Sequence, residues 1–482
     1  MPRFLRGLLA ALPAVYLLYF HGLGSMGVVG PDEPRYASIA REMAASGDWI
    51  TPRLWGQPWF EKSPLLYWIS GATFRVGLRG ELGARLPIAL TALGFLVFYW
   101  WILKREFGCR AAWLSVLILG SSVAWVGFSQ LCVTDLPLAA TYSASMLLAM
   151  PWVAKENTRA LPAVSGLLGI AALAKYLVAA VLAVPLGLIR WRSLRDLLRP
   201  GVIAPFVLVA APWYVLCYLR NGSEFLRVAW EHQVGRFTTD ALKHVQPWWF
   251  YLPQMAGLLL PWTPVLILLA RRSFWSDPRR RFLGILVLYG LVFFSASANK
   301  LPGYLLPLLP PAAALMGTAL DEAGGARGVL AFCALLLVVF VLVQPILPAA
   351  IASGLSRAPQ VAFSWLWLVP VPLAGIVWFL ESRSRRLAAA WCIALGVAAG
   401  VGYLKVSDRD EINRIATARY LWQEIAPHRD EVCVDNIHRD WRYGLNFYSV
   451  TPLPECSQSP RTMALIQAFG EPPRLTRTRA PL

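Results

Sequence analysis

Residues 86–103 read LPIALTALGFLVFYWWIL without a charged side chain, and Lys104 and Arg105 follow them directly. A helix that crosses a bilayer needs about 20 mostly apolar residues, and the cytoplasmic loops of membrane proteins collect Lys and Arg. Similar runs recur along the 482 residues of the chain, of which 57% are hydrophobic and only 15% are charged. Ordinary soluble proteins are about 25% charged. The composition therefore excludes a soluble enzyme, a disordered chain and a fibrous repeat, and it predicts an all-α polytopic membrane protein.

Apolar runs of this kind predict about thirteen transmembrane helices. Clusters of Lys and Arg fall at alternate ends of the runs and assign one side of the protein to the cytoplasm. This register predicts a cytoplasmic N-terminus and an external C-terminal tail. The net charge of +18 lies in these short clusters rather than along a groove, so no nucleic acid is expected as a partner. The runs lie near residues 7–27, 86–103, 111–129, 137–154, 160–174, 177–190, 201–219, 249–270, 282–297, 304–320, 328–348, 361–380 and 387–404.

The chain divides by composition into a membrane domain, 1–404, and a small soluble domain, 405–482. The membrane domain includes a long external loop, 28–85, in which Ile39 and Met43 would share one face of a helix that lies flat on the membrane. The tail contains a helix-like stretch, DEINRIATARYLWQEIA, and a strand-like VCVDN, which predict an α/β fold. Cys433 and Cys456 could form a disulfide if the tail lies in an oxidising compartment.

Charged side chains collect in five loops on the predicted external side. Charges at membrane depth are costly and tend to mark function. Because their positions were not used to set the topology, their common side predicts a single site at the external interface. They are Asp32, Glu33, Glu61, Lys62, Asp135, Lys175, His232 and Lys300.

Most of these residues also have an ordinary structural explanation. Asp32 and Asp135 lie where they would cap helices. The long aliphatic side chain of Lys300 could let its ammonium reach the membrane interface. As a set, however, carboxylates suit the activation or placement of a nucleophile, by Asp32 with Glu33 for example, and lysines suit a phosphate leaving group. Lys175 is hardest to explain structurally because it lies between two apolar runs.

A metal site is a further possibility. A single His is more often structural than a ligand, but His232 and Glu61 lie on the same predicted side. One His and one carboxylate would bind a divalent metal such as zinc if water or a substrate phosphate completed the coordination.

The first loop also resembles a known family. Residues 32–68, DEPRYASIAREMAASGDWITPRLWGQPWFEKSPLLYW, resemble the first external loop of the bacterial lipid A 4-amino-4-deoxy-L-arabinose transferases. VTDLPL, ALAKYL, WEHQVGRF and NKLPGYLLP resemble later motifs of that family in the same order. The family is part of the wider protein O-mannosyltransferase-like group, so the resemblance implies a GT-C-like membrane fold.

The resemblance carries roles onto individual residues. It implies that Asp32 is the catalytic aspartate, that Lys62 meets the donor phosphate and that Asp135 is a further residue of the catalytic site. Together with the charge pattern, it predicts that Asp32 and Glu33 position the acceptor and that Glu61 and His232 bind the metal. The predicted donor-binding residues are Lys62, Lys175, Arg236, Lys300 and Tyr304.

The expected function is an inverting glycosyltransferase in the bacterial inner membrane with a periplasmic tail. It would move a sugar such as 4-amino-4-deoxy-L-arabinose from a polyprenyl monophosphate to lipid A or a related cell-envelope acceptor. One alternative is a protein O-mannosyltransferase-like enzyme that uses the same class of donor. The other is a transporter of lipids or sugar phosphates, which would leave the charged cluster on one side unexplained.

Overall fold

The computed structural model describes residues 12–238, 246–323, 328–354, 361–468 and 470–477, and this part of the chain is mostly helical. Six of its helices are long and apolar enough to cross a membrane, and nine spans result if each of three bent helix pairs counts as one. The six are Gly80–Phe107, Asp135–Lys155, Pro200–His232, Pro302–Glu322, Trp365–Ser382 and Arg386–Ser407. The bent pairs are Cys109–Gly120 with Val123–Ser129, Tyr251–Leu258 with Thr263–Ala270, and Val329–Val343 with Leu347–Ser353.

The predicted multi-pass membrane architecture is therefore confirmed, whereas the count of about thirteen spans stays a prediction. The apolar run near 160–174 forms the helix Leu161–Lys175, and the run near 177–190 forms the shorter apolar segment Val178–Ile189. At 1.5 Å per residue, a helix of 15 residues is about 22 Å long, which is less than the roughly 30 Å of a hydrocarbon core. The length of an apolar run alone cannot tell such a segment from a full span.

Burial separates central helices from those that face lipid. In the helix Pro302–Glu322, 94% of the apolar window is buried inside the protein, against 22% in Pro200–His232. Leu208 and Leu219 on the latter are each 73% exposed. A helix that exposes so much apolar surface is stable when lipid covers it.

The first loop folds into two helices, Asp32–Ser46 and Leu65–Arg75, with a short antiparallel hairpin, Arg53–Leu54 and Gln57–Pro58, between them. We call Asp32–Ser46 the first-loop helix. It begins with two acidic residues and a proline, which suit a helix N-terminus, and it ends at Gly47, whose φ of 72° suits glycine. Ile39 and Met43 are 0% and 2% exposed and pack in the protein core. These two side chains therefore face the protein, and the prediction that their helix lies flat on the membrane stays a prediction.

The tail contains a three-stranded sheet beside short helices. The strand Val432–Asp435 pairs in parallel with Met463–Ile466, which pairs antiparallel with Arg474–Arg477. Cys433 and Cys456 form a disulfide. The helix Arg386–Ser407 runs through the predicted boundary at residue 404, so the separation into two domains stays a prediction. The helices of the tail are Arg409–Ile415, Arg419–Ile425 and Arg439–Ser449, the last of which we call the tail helix.

The remaining helices join the spans or complete the bundle. The helix Pro200–Thr238 is kinked at Gly222, where φ is 66°. Other helical segments are Leu194–Leu197 and Pro278–Ala296, the π-helical turn Tyr16–Phe20, and the 3₁₀ segments Thr158–Ala160, Trp191–Ser193, Arg272–Ser276 and Ala426–Glu431.

Candidate active site

A row of alternating charges joins the first loop to the helix Pro200–Thr238. The guanidinium of Arg35 contacts the carboxylate of Asp32 through Nη2, and its Nη1 lies 3.3 Å from Oε2 of Glu61. The other oxygen of Glu61, Oε1, lies 3.7 Å from Nε2 of His232. The structure thus brings Asp32, Glu61 and His232 together, as predicted, and adds a cation between them.

Arg35 is the main residue of this cluster that the sequence analysis missed. Its side chain is 12% exposed, whereas that of Asp32 is 48% exposed and accessible to a substrate. Burial alone would lower the pKa of Arg35, but Glu61, followed by Tyr36 and Asp32, raises it above the ordinary value. Arg35 therefore stays charged and can hold both carboxylates in place. Its spacing of three residues from Asp32 on a helix was the available signal.

A second cluster contains Asp135, Lys175 and Tyr304. Nζ of Lys175 lies 2.9 Å from Oδ1 of Asp135 and 4.7 Å from the centre of the Tyr304 ring. Asp135 begins its helix and Lys175 ends its own, positions at which the helix dipoles favour those charges. Gly303, which precedes Tyr304, must be small, because a Cβ on it would lie 2.8 Å from Cζ of Phe128. These three predicted site residues therefore lie together.

The other two lysines of the predicted site, Lys62 and Lys300, are buried. Lys62 is 4% exposed in the connection that leads into the helix Leu65–Arg75. Lys300 is 6% exposed, and its ammonium donates hydrogen bonds to the carbonyl oxygens of Ser297 at 2.6 Å and Gln246 at 2.9 Å. These bonds give Lys300 a structural role, and its predicted contact with a donor phosphate stays a prediction.

Glu33 has a structural role in the first loop. It is 1% exposed, and both of its oxygens accept hydrogen bonds from Arg85, over 2.7 Å each. They also accept the backbone N–H groups of Cys132 at 3.0 Å and Val29 at 2.9 Å. These four donors account for the buried carboxylate structurally, and the predicted role of Glu33 in positioning the acceptor stays a prediction. Glu33 ties the first loop to the helix Gly80–Phe107.

The remaining predictions concern Arg236 and the metal. The backbone of Arg236 belongs to the helix Pro200–Thr238, but its side chain lies outside the described residues. Within the described ranges, no group of three or more His, Cys, Asp or Glu residues could hold a metal ion. Glu61 and His232 therefore stay predicted ligands, and the described part of the chain adds no third His, Cys, Asp or Glu to them.

Comparison with known proteins finds relatives among membrane glycosyltransferases. Residues 4–225 match the dolichyl-phosphate-mannose-protein mannosyltransferase family. The undecaprenyl phosphate-alpha-4-amino-4-deoxy-L-arabinose arabinosyl transferase 2 of Pseudomonas fluorescens is 31% identical over 340 residues, which are 66% of this chain and 60% of the relative. The corresponding Pseudomonas aeruginosa transferase is 33% identical over 64% of this chain and 59% of its own length. The chain therefore spans about 60% of the length of these relatives.

Solved structures extend the similarity to nearly the whole chain. The crystal structure of ArnT from Cupriavidus metallidurans bound to undecaprenyl phosphate is 25% identical, with a TM-score of 0.74 over 98% of this chain and 87% of that one. The arabinosyltransferase EmbB from Mycobacterium smegmatis is 16% identical, with a TM-score of 0.51 over 86% of this chain and 42% of that one, and shares the fold. The fold is thus of the GT-C type found in membrane glycosyltransferases. Within that class this chain is similar to ArnT, and the predicted resemblance is confirmed.

Proposed function

We propose that the chain is an inverting glycosyltransferase of the bacterial inner membrane. It transfers a sugar, 4-amino-4-deoxy-L-arabinose, from polyprenyl monophosphate to lipid A or a related acceptor on the periplasmic side. The observation that carries the proposal is the clustering of an exposed carboxylate, Asp32, with Arg35 and Glu61 in a fold shared with ArnT. The names of the bacterial relatives supply the sugar and the lipid carrier.

In the proposed reaction, an oxygen of the acceptor attacks the anomeric carbon of the donor as the bond to the phosphate oxygen breaks. Attack from the side opposite the phosphate inverts the anomeric centre. Asp32 is held by Arg35 and can orient the acceptor. If the acceptor is a lipid A phosphate, it is already anionic and needs only placement, whereas a hydroxyl acceptor would give its proton to Asp32.

The leaving group is the polyprenyl phosphate, whose negative charge grows as the bond breaks. Buried cations stabilise such a charge strongly because little water screens them. Lys62 and Lys175 are the proposed phosphate contacts, with Arg236, Lys300 and Tyr304 as further contacts. Lys175 already lies beside Tyr304, so a phosphate there would compete with Asp135 for its ammonium.

The proposed orientation in the membrane has two supports. The basic clusters assign the N-terminus to the cytoplasm. The disulfide between Cys433 and Cys456 suits an oxidising compartment, and the bacterial periplasm is one. The tail and the candidate site would then both lie on the periplasmic side.

The metal is proposed as zinc held by Glu61 and His232. Oε1 of Glu61 and Nε2 of His232, which lie 3.7 Å apart, would be the ligands, since a carboxylate and an imidazole are common zinc ligands. When bound, the cation would act as a Lewis acid on the donor phosphate. Arg35 would help to orient Glu61 toward the cation, because it contacts the second carboxylate oxygen of Glu61.

Zinc content tests this pair directly. We expect the purified wild type to carry about one zinc ion per chain and His232→Ala and Glu61→Gln to lose it. Glu231→Gln is the matched control, because Glu231 precedes His232 in the chain but is 57% exposed and pairs with Arg227. Elemental analysis after dialysis against a weak chelator would measure the ion, and full retention in both variants would contradict the assignment.

Mass spectrometry of lipid A tests the proposed function. Purified protein in detergent, supplied with inner-membrane lipid extract and lipid A, is expected to add the mass of an aminopentose to lipid A. Lys62→Ala is expected to lose this activity by about a hundredfold or more, because a buried phosphate contact disappears. Lys155→Ala is the control, since Lys155 is exposed at the end of the helix Met150–Lys155.

Other results of the same measurement separate the alternatives. A hexose-sized gain would keep the mechanism and change the sugar. Transfer to protein instead of lipid A would favour the mannosyltransferase-like alternative, which has the family match over residues 4–225 in its support. Movement of lipid without any covalent transfer would overturn the proposal in favour of a transporter.

A further inference from the structure

The tail helix, Arg439–Ser449, packs directly on the first loop. Nη1 of Arg41 donates a hydrogen bond to the carbonyl oxygen of Phe447 at 2.7 Å, and its guanidinium lies 5.0 Å from the Phe447 ring. The hydroxyl of Tyr448 donates to Oε1 of Glu81 at 2.6 Å. Contacts at this end of the tail helix therefore fix its orientation over the first-loop helix.

The opposite half of the tail helix reaches the charged cluster. The ring centre of Tyr443 lies 5.2 Å from the guanidinium carbon of Arg35. Two rings of the first loop, those of Trp59 at 5.6 Å and Tyr36 at 5.8 Å, surround the same guanidinium. Tyr443 is thus the nearest of the three rings, and it also contacts the Trp55 ring at 5.7 Å. An aromatic face attracts a cation and restricts where its plane can lie.

Asp440 lies three residues before Tyr443, so both side chains share a face of the tail helix. Its Oδ1 is buried and accepts no hydrogen bond from any described residue, while Oδ2 lies 3.5 Å from Nδ1 of His438. Burial raises the pKa of Asp440, and among nearby charges Asp32 raises it further while His438, Arg439 and Arg35 lower it. Asp440 and Tyr443 thus share the side of the tail helix whose Tyr443 ring contacts Arg35.

We propose that Tyr443 is a positioning residue of the transferase site. Its ring holds the guanidinium of Arg35 in the plane that contacts both Asp32 and Glu61, so the tail completes a site whose other residues come from the membrane part of the chain. Tyr443 lies far outside residues 4–225, which carry the match to the mannosyltransferase family. The inference rests on the proposed function for its kinetic consequence, but its geometric content is independent of it.

The test compares Tyr443→Leu, which removes the ring, with Tyr443→Phe, which keeps it. Tyr443→Leu is expected to lower kcat for sugar transfer about tenfold or more while the KM for the donor changes less than about threefold, because a misplaced Arg35 disturbs orientation rather than binding. Tyr443→Phe is expected to keep wild-type kinetics. Tyr420→Leu is the matched control: Tyr420 is an exposed tyrosine of the tail whose hydroxyl bonds to Asp410.

A second readout needs no enzymatic activity. Phenylglyoxal modifies accessible arginines, and the 12% exposure of Arg35 should protect it. Peptide mass spectrometry is expected to show modification of Arg35 several times faster in Tyr443→Leu than in the wild type, Tyr443→Phe or Tyr420→Leu, with modification of the exposed Arg227 unchanged.

The two readouts separate the possible failures. If the wild type transfers sugar and Tyr443→Leu has unchanged kcat, the inference is overturned. If the wild type transfers nothing, the proposed function fails, and the modification rate of Arg35 alone decides whether Tyr443 holds it. Equal loss of kcat in Tyr443→Leu and Tyr443→Phe would also overturn the inference, because the ring would then not be the group that matters.

Discussion

Asp32→Asn is expected to reduce sugar transfer about a thousandfold or more without loss of the fold. The amide keeps the shape of the side chain but removes the charge that Arg35 holds and the oxygen that would orient or deprotonate the acceptor. Asp32 is 48% exposed, so its replacement should cost little stability, in contrast to replacement of the buried Glu33. The measurement is the rate of mass gain on lipid A at saturating donor.

The matched control for this prediction is Asp430→Asn, the same substitution at a position of the tail that is 93% exposed. It is expected to transfer sugar at the wild-type rate. Binding of undecaprenyl phosphate, measured separately, should survive in Asp32→Asn because the donor contacts are proposed for other residues. An Asp32→Asn variant with more than a tenth of the wild-type rate would exclude Asp32 as the group that activates or places the acceptor.

The second large effect concerns stability. Glu33→Ala is expected to lower the free energy of unfolding by about 3–5 kcal/mol, because it leaves Arg85 as a buried cation without its partner. Arg85 would retain hydrogen bonds to the carbonyl oxygens of Leu23, Met26 and Gly27, but none of these carries a charge. Thermal unfolding in detergent, together with the yield of monodisperse protein, would measure the loss.

Two further variants serve as controls for the predicted loss of stability. Glu33→Gln keeps oxygen and shape and should be milder than Glu33→Ala, because the amide can still accept from Arg85 or Cys132. Glu231→Ala removes an exposed partner of Arg227 and should change stability by less than about 1 kcal/mol. A stable Glu33→Ala protein that has lost activity would contradict the structural role and support the predicted role of Glu33 in positioning the acceptor.

The neighbouring acids Asp32 and Glu33 show which features of the site can be predicted from the sequence and which cannot. The pattern of charges on one side of the apolar runs predicted a single site, and the structure brings its members together in two groups, Asp32 with Glu61 and His232, and Asp135 with Lys175. The charge pattern did not assign different roles to Asp32 and Glu33, because consecutive residues on a helix point about 100° apart and only the packing of the helix decides which one faces inward. Glu33 faces inward because it pairs with Arg85, which lies 52 residues further along the chain.

The span count illustrates the same limit for the fold. Hydropathy locates apolar segments well, because burial in lipid or in protein requires the same side chains. It cannot distinguish a full span from a bent pair such as Cys109–Gly120 and Val123–Ser129, whose axes differ by 62°. The direction of each segment depends on which helices it packs against.

The sequence by itself determined the membrane class, the clustering of charges in the loops on one side of the apolar runs and the resemblance of the first loop to ArnT, because these properties follow from local composition and motif. Only the tertiary structure decided the contacts of Glu33, Arg35 and Tyr443. Each depends on a partner that is distant in sequence: Tyr443 lies in the tail, far from Arg35, yet its ring is 5.2 Å from that guanidinium. Contacts of this kind arise from the way the whole chain packs, and no local pattern of residues encodes them.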